Sequence, residues 1–513
     1  MLPRKTLAIL LTLCLVLAPT VGATWSIVLV DSATGEVAVG SATCLEGTDL
    51  RAFVPVIVVG VGAGATQSQV DPTGKHKKLI FNELKLGTPP SEIIDLLKLE
   101  ETLAGLKCSR QYGVADMFGG SASFSGGCNG VFKGHRFGTI GTVSYAIQGN
   151  VITGLPVVLA AEAAIIESQG QLLSDRLMQG MEAARAMGGD GRCSCETHPP
   201  ADSCGSPPVN GFEKSAHVGT VIVARVGDTD GPCFGGSIGC AGGDYWLNLN
   251  VSGYMEDPDP VYILEGQYAA FKERMRGHVD GLKTTATWTT SQPRSGGGGV
   301  AQLELALADF EGTPITHGGA KIQIAHAEGS AELSQRQVIT DNGDGTYSIR
   351  FLATAATGTD RFEITIRDGV RPAVIYPLPE IVYPAPLEAS TDEVSSSAGG
   401  KVVFTLRGPA SAAGKSFVLG LSLDGPDAGL TLPGGLLLPL RSDRLLAATP
   451  HLVSAGFLKG VPGELDQESR ATVELELPAG LLQSLTGKTL RAAWCTYQPA
   501  TFASNAVTIR ITP

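Results

Sequence analysis

The stretch Ser291-Gln-Pro-Arg-Ser-Gly-Gly-Gly-Gly299 divides this chain into two parts with different hydrophobic periods, and that division limits the available folds more than any other feature. Before it, short alternating segments are interleaved with segments of helical period. Apolar residues recur at Ile93, Ile94, Leu96, Leu97 and Leu99, with Ser91 placed to cap a helix over residues 91–106. Residues 157–169 and 172–187 read as two Ala-rich helices joined through Gly170, and residues 262–275 as a closing helix. Strands are expected at residues 25–30, 37–43, 53–61, 139–147, 218–225 and 245–251. Strands, then helices, then strands again predict a layered α+β domain over residues 24–277. After a linker at 278–299 the helical period disappears. Residues 300–384 and 385–513 each read as an all-β sandwich of roughly 100 residues, joined through a Pro-rich stretch at 377–386. The turn Asp341-Asn-Gly-Asp-Gly-Thr-Tyr347 separates two strands of the first.

The opening residues set the expected compartment. Arg4 and Lys5 precede an apolar run at 7–17, and Val21-Gly22-Ala23 forms a small-residue cleavage site, so residues 1–23 read as an export signal. The expected product is secreted or periplasmic and soluble. Nine cysteines follow Cys14 of that signal, and in an oxidising compartment they read first as disulfides, with the pairing open. Cys193, Cys195, His198 and Cys204 offer a zinc set as the alternative, but their spacing lacks two Cys-x-x-Cys pairs. Cys495 is left over and reads as a buried free thiol. The net charge of -12 argues against nucleic acid, whose binding needs phosphate-neutralising cations.

Cleavage after Ala23 gives Thr24 a free α-amine beside its own hydroxyl. That pairing activates a weak nucleophile, because the amine serves as the general base for the side-chain oxygen. An α-amine pKa of about 7.7–8.0 leaves part of the population neutral near neutral pH. Residues 25–30 run straight into a strand and turn at Asp31-Ser-Ala-Thr-Gly-Glu36 into residues 37–43. A hairpin centred near Ala33 and Thr34 sets Thr24 opposite residues 42–44, with Ser41 and Thr43 beside it. These two are candidates to orient the amine or relay protons, or else are ordinary strand-edge polarity. Gln67 ends a glycine-rich strand and Asn150 follows Gly149; either is a candidate donor to a developing oxyanion. Asp190 reads as a loop-holding Asx turn. His135 and His217 are not needed as bases. Gly60-Val-Gly-Ala-Gly64 lacks the Lys-Ser/Thr of a phosphate loop, and close packing between sheets is expected there instead.

Thr24-Trp-Ser-Ile-Val-Leu-Val-Asp31, Gly60-Val-Gly-Ala-Gly-Ala-Thr-Gln67, Ser144-Tyr-Ala-Ile-Gln-Gly-Asn150 and Met187-Gly-Gly-Asp190 together resemble the successive motifs of a bacterial family, domain-of-unknown-function family 1028. The resemblance spans residues 24–277. It implies a place among N-terminal-nucleophile (Ntn) hydrolases and a four-layer αββα sandwich with two facing antiparallel sheets. Three places depart from the family pattern: the Cys/Pro-rich insertion at 191–214, Ser68-Gln-Val-Asp-Pro72, and the loop closed by Cys233 and Cys240. The first β-sandwich resembles filamin- or invasin-type immunoglobulin-like modules through its Asp-Asn-Gly-Asp-Gly-Thr-Tyr turn.

The functional expectation is an exported amidohydrolase that cleaves a small amide or peptide with Thr24, without cofactor or metal. The alternative is a catalytically inert binding or adhesion protein on the same scaffold. In either case the C-terminal modules are candidates to hold a cell-surface or cell-wall ligand.

Overall fold

The computed structural model describes residues 24–69, 71, 73–105, 107–195, 203–233, 239–289, 300–353, 357–423 and 429–513. The expected signal, His198 and the whole glycine-rich stretch 291–299 lie outside these residues. The chain divides into two compact units, Met1–Arg276 and Gly277–Pro513.

The first unit opens with β1 (Thr24–Asp31), an apolar strand that is buried on both faces and folds back on β2 (Glu36–Thr43). Then come β3 (Pro55–Val58), β4 (Gly62–Ser68), α1 (Lys75–Leu86), α2 (Pro90–Ala104), β5 (Arg110–Asp116), β6 (Ser121–Ser125), β7 (Lys133–Ile140) and β8 (Val143–Asn150). The helices α3 (Pro156–Glu167) and α4 (Leu173–Ala186), the single turn α5 (Gly191–Ser194), β9 (Val218–Ala224), β10 (Leu247–Ser252) and α6 (Pro260–Met275) complete it. Six strands form one antiparallel sheet in the order β10-β9-β2-β1-β8-β7, and the others a second in the order β3-β4-β5-β6. Alternation along β1 sends Val28 and Val30 into a core shared with Ile57, Ala63, Ala65 and Ala115 of the second sheet. Ile27 points the other way, to α4, where a Cβ on Gly180 would approach it to 3.0 Å. On the outer face of the second sheet, α1 and α2 pack through Ile80, Leu84, Ile93 and Leu97. The two sheets therefore face each other, with helices on both outer surfaces.

Several expectations change in detail. The helix expected from a Ser91 cap begins at Pro90, after Pro89, because a proline at the first turn needs no hydrogen-bond partner. The single strand expected at 139–147 is a hairpin, β7 and β8, turning at Gly141 with φ +62°. Gly62 and Gly64 make room for a helix rather than for the facing sheet: added Cβ atoms would lie 2.9 Å from Leu84 and 2.8 Å from Ile80 of α1.

The second unit begins with two sheets around one core. The strands are β11 (Thr285–Trp288), β12 (Val300–Ala306), β13 (Lys321–His326), β14 (Ser334–Asp341), β15 (Thr346–Ala353), β16 (Gly358–Arg367), β17 (Pro372–Val374) and β18 (Glu380–Tyr383). One sheet runs β11-β12-β15-β14; in the other, β16 pairs with β13, β17 and β18. Leu303, Ile349, Phe351, Phe362 and Ile364 fill the space between. Residues assigned to the linker from sequence belong here: Val279 is buried in this core, and β11 pairs with β12. A further pair of sheets, starting at Leu387–Ala389, closes over Val402, Phe404, Leu475, Trp494 and Ile509. It also carries one helix, α7 (Arg444–Ser454), where only strands were expected. Cys495 is buried and unpaired with another sulfur, as expected from the odd count.

Candidate functional site

Thr24 lies at the first position of a central strand and is 4% exposed. It stands directly across from Asn150 on β8, while the β1–β2 register runs from Asp31↔Glu36 to Trp25↔Ala42, one step short of Thr43. Residues in register share a face, so Thr24, Ser26, Ser41, Gln148 and Asn150 all belong to the face that meets the second sheet. Along that face the inter-sheet interior changes character. It is aliphatic around Val28 and Val39 and polar at the Thr24 end.

The polar end is a lattice of buried amides. Gln67 of β4 donates from Nε2 to the Thr24 carbonyl at 2.9 Å and to Gln111 Oε1 at 2.6 Å. Its Oε1 accepts the Ser26 hydroxyl at 2.6 Å, and Ser26 Oγ in turn accepts from Gln148 Nε2. Gln111 Nε2 reaches the Gly149 carbonyl at 3.0 Å and Ser125 Oγ at 2.7 Å, and Ser125 Oγ lies 2.9 Å from His135 Nδ1. Burial, and then the neighbouring Arg136, hold the His135 pKa below its ordinary value. An unpartnered buried amide costs roughly 2–7 kcal/mol, so this lattice persists only because its members satisfy one another. Space for it comes from Gly113, where a Cβ would lie 2.0 Å from Gln148 Oε1.

The residue after each of the two candidate donors has a left-handed backbone. Ser68, after Gln67, has φ +77°, and Val151, after Asn150, has φ +51°. Such conformations cost about 1–3 kcal/mol each in non-glycine residues and persist where the surroundings impose them. Here the Ser68 hydroxyl donates to Asn129 Oδ1 at 2.7 Å, and the Val151 carbonyl accepts from Gly191 at 2.9 Å.

The candidates from sequence separate into two groups. Gln67 and Asn150 meet beside Thr24, with Gln67 Nε2 3.5 Å from Asn150 Oδ1. Ser41 donates to the Trp25 carbonyl at 2.9 Å, so its hydroxyl ties β2 to β1. Thr43 faces a different group: its Oγ1 lies 3.1 Å from the Arg192 guanidinium and 3.5 Å from Asp190. Asp190 is fully buried, caps α5 through Arg192 N, pairs with the Arg192 side chain at 2.8 Å, and accepts from Cys44 N at 2.7 Å. Sequence reasoning missed Ser26 and Gln111, and it did not give Gln148 a role. The available signal was a polar residue at an inward position of an otherwise buried strand.

Eight cysteines form four disulfides: Cys44–Cys193, Cys108–Cys128, Cys195–Cys204 and Cys233–Cys240. The zinc alternative at Cys193, Cys195 and Cys204 is thus divided between two bridges.

The first unit is a mixed α/β domain with a buried polar constellation around the start of its first strand. Residues 24–197 match the model of a family of unknown function, DUF1028. A solved structure from Silicibacter pomeroyi, assigned to the same model, is similar over 48% of this chain and 85% of its own, at 17% identity and a TM-score of 0.34. The Yersinia pseudotuberculosis adhesin InvE is similar over 46% of this chain and 61% of its own, at 16% identity and a TM-score of 0.18. The bacterial integrin-binding protein invasin is similar over 95% and 79%, at 9% identity and a TM-score of 0.18. No curated protein matches.

Proposed function

We propose that the first unit is an Ntn-type amidohydrolase of an exported protein, with Thr24 as its terminal nucleophile after cleavage behind Ala23. The observation that carries this reading is that Thr24 begins a central strand, paired with Asn150 and held through its own carbonyl by Gln67. Chain ends usually fray, and catalysis needs this one fixed. Two facing sheets with helices outside support the Ntn assignment, and four disulfides support an oxidising compartment.

In this mechanism the α-amine takes the Thr24 hydroxyl proton as Oγ1 bonds to the amide carbonyl carbon. The tetrahedral intermediate collapses, the C–N bond breaks, and the leaving amine takes the proton. Water then attacks the ester, releasing the acid and restoring the hydroxyl. Asn150 is assigned to the developing oxyanion, where one donor contributes about 3–4 kcal/mol. Gln67 acts as a positioning residue, because its short bonds go to Thr24 O and Gln111. A second reading, an inert exported binding protein, draws on those committed donors. In both readings the β-rich unit serves attachment to a cell-surface or cell-wall ligand.

The test combines N-terminal sequencing of the exported protein with a β-lactone probe. The expected outcome is a mature chain starting at Thr24 that is acylated there, with no labelling of Thr24→Ala. A correctly processed, folded chain that takes up no label would transfer the assignment to the binding reading.

A further inference from the structure

The three groups Cys44 Sγ, Cys193 Sγ and a ring nitrogen of His217 lie within 4.8 Å of one another. Among the described residues this is the one cluster of three possible metal ligands. The sulfurs are joined in a disulfide, so neither is a ligand in the oxidised chain. We propose that Cys44, Cys193 and His217 form a Zn²⁺ site of the reduced protein, closed when the two sulfurs are bonded.

The three residues are held together by bonds other than the disulfide. Cys44 directly follows β2 and His217 directly precedes β9, and these strands are paired up to Thr43↔Val218. The next step of that ladder is Cys44 beside His217, reinforced by His217 N donating to the Thr43 carbonyl at 2.9 Å. Cys193 sits on α5, whose capping residue Asp190 accepts from Cys44 N at 2.7 Å. Breaking the S–S bond leaves the ladder and the Asp190 bond intact. Tetrahedral zinc, with bonds of about 2.0–2.3 Å, separates its ligand atoms by roughly 3.5–3.8 Å. Side-chain rotation across a Cα–Cα distance of 5.8 Å reaches that separation. Zinc takes imidazole in its neutral form, and Lys214 Nζ lies 3.4 Å from Nδ1 of this ring. Glu46 Oε1 lies 3.8 Å from Nε2 of the same ring. Cys193 and His217 also line a cavity of about 660 Å³, which gives reductant and ion a route.

The chemistry balances with an external dithiol. Its two thiols give two electrons and two protons to the Cys44–Cys193 bond and become a disulfide, leaving two protein thiols. Zinc then displaces two protons to solvent and is held as a Cys₂His centre with one open position.

The experiment uses the full mature chain, oxidised or treated with a dithiol, and titrates Zn²⁺ against a chromophoric chelator, with Co²⁺ reporting thiolate coordination by its charge-transfer absorption. One zinc bound per reduced chain and none per oxidised chain is expected. His217→Ala retains every thiol and should weaken binding at least tenfold, while Cys44→Ser/Cys193→Ser should abolish it. Cys195→Ser/Cys204→Ser, which removes a different bridge, should bind as the parent does. Equal uptake by the parent and His217→Ala would mean that loose thiols hold the ion and would overturn the site, as would no uptake by the reduced parent. The outcome is independent of whether Thr24 is a nucleophile.

Discussion

The sheet interiors of the two units solve the burial problem differently. In the second unit Phe404, Leu475, Trp494 and Ile509 meet in a core that is almost wholly hydrocarbon. In the first unit the space between the sheets is aliphatic at one end and filled with Ser26, Gln67, Gln111, Gln148 and Asn150 at the other, each 3% exposed or less. Hydrocarbon burial is non-directional and stabilises by area, roughly 25 cal/mol per Å². A paired amide lattice adds little net stability over apolar side chains of the same shape, but it fixes where each atom lies. The sandwich interior holds a fold, whereas the polar end of the first unit holds one residue in place.

The comparison can be broken most sharply in the apolar core. Phe404→Ala should destabilise the second unit by about 3–5 kcal/mol, read by chemical denaturation, because the cavity has few polar groups to draw in water. A cost below one kcal/mol would mean that this interior is loosely packed. The amide lattice calls for a subtler change. Gln111→Leu removes the donor to the Gly149 carbonyl and the acceptor for Gln67, and should cost about 1–3 kcal/mol. It should also slow acylation of Thr24 without changing the mature start. A stable variant that labels at the parent rate would reduce the lattice to filler.

The third effect is read as a slope and concerns a buried charge. Burial lowers the Lys77 pKa from 10.5 to about 8, against the opposing pull of Asp71 and Asp49. Between those values the unfolded chain binds more protons than the folded one, so this group makes stability rise with pH from about 8 toward 10.5. The slope is at most about 1.4 kcal/mol per pH unit. Thermal melts of Lys77→Met across that window should lack the rise, and a parental slope in the variant would assign it to another group.

Much of this architecture is visible in the residue pattern, and the failures have physical causes. The periods of α3, α4 and α6 survive because each helix buries one stripe of apolar residues. The charged run that opens α1 carries no apolar mark, yet His76 and Lys77 within it are buried. β4 is rich in glycine and alanine because α1 presses on Gly62 and Gly64. Alternation continues through the β7–β8 turn, so two strands read as one. At the site, Thr24, Gln67 and Asn150 stand out through motif and position. Gln111 has no such mark; only the β4–β5 pairing Gln67↔Gln111 brings it to Thr24.

Gly113 gives a means of sorting other chains that share this domain. Since any side chain there would occupy the volume of the Gln148 amide, a larger residue at that one place is incompatible with the same lattice. A single column of an alignment could therefore divide candidates with the arrangement around Thr24 from those that have discarded it, before any of them is purified.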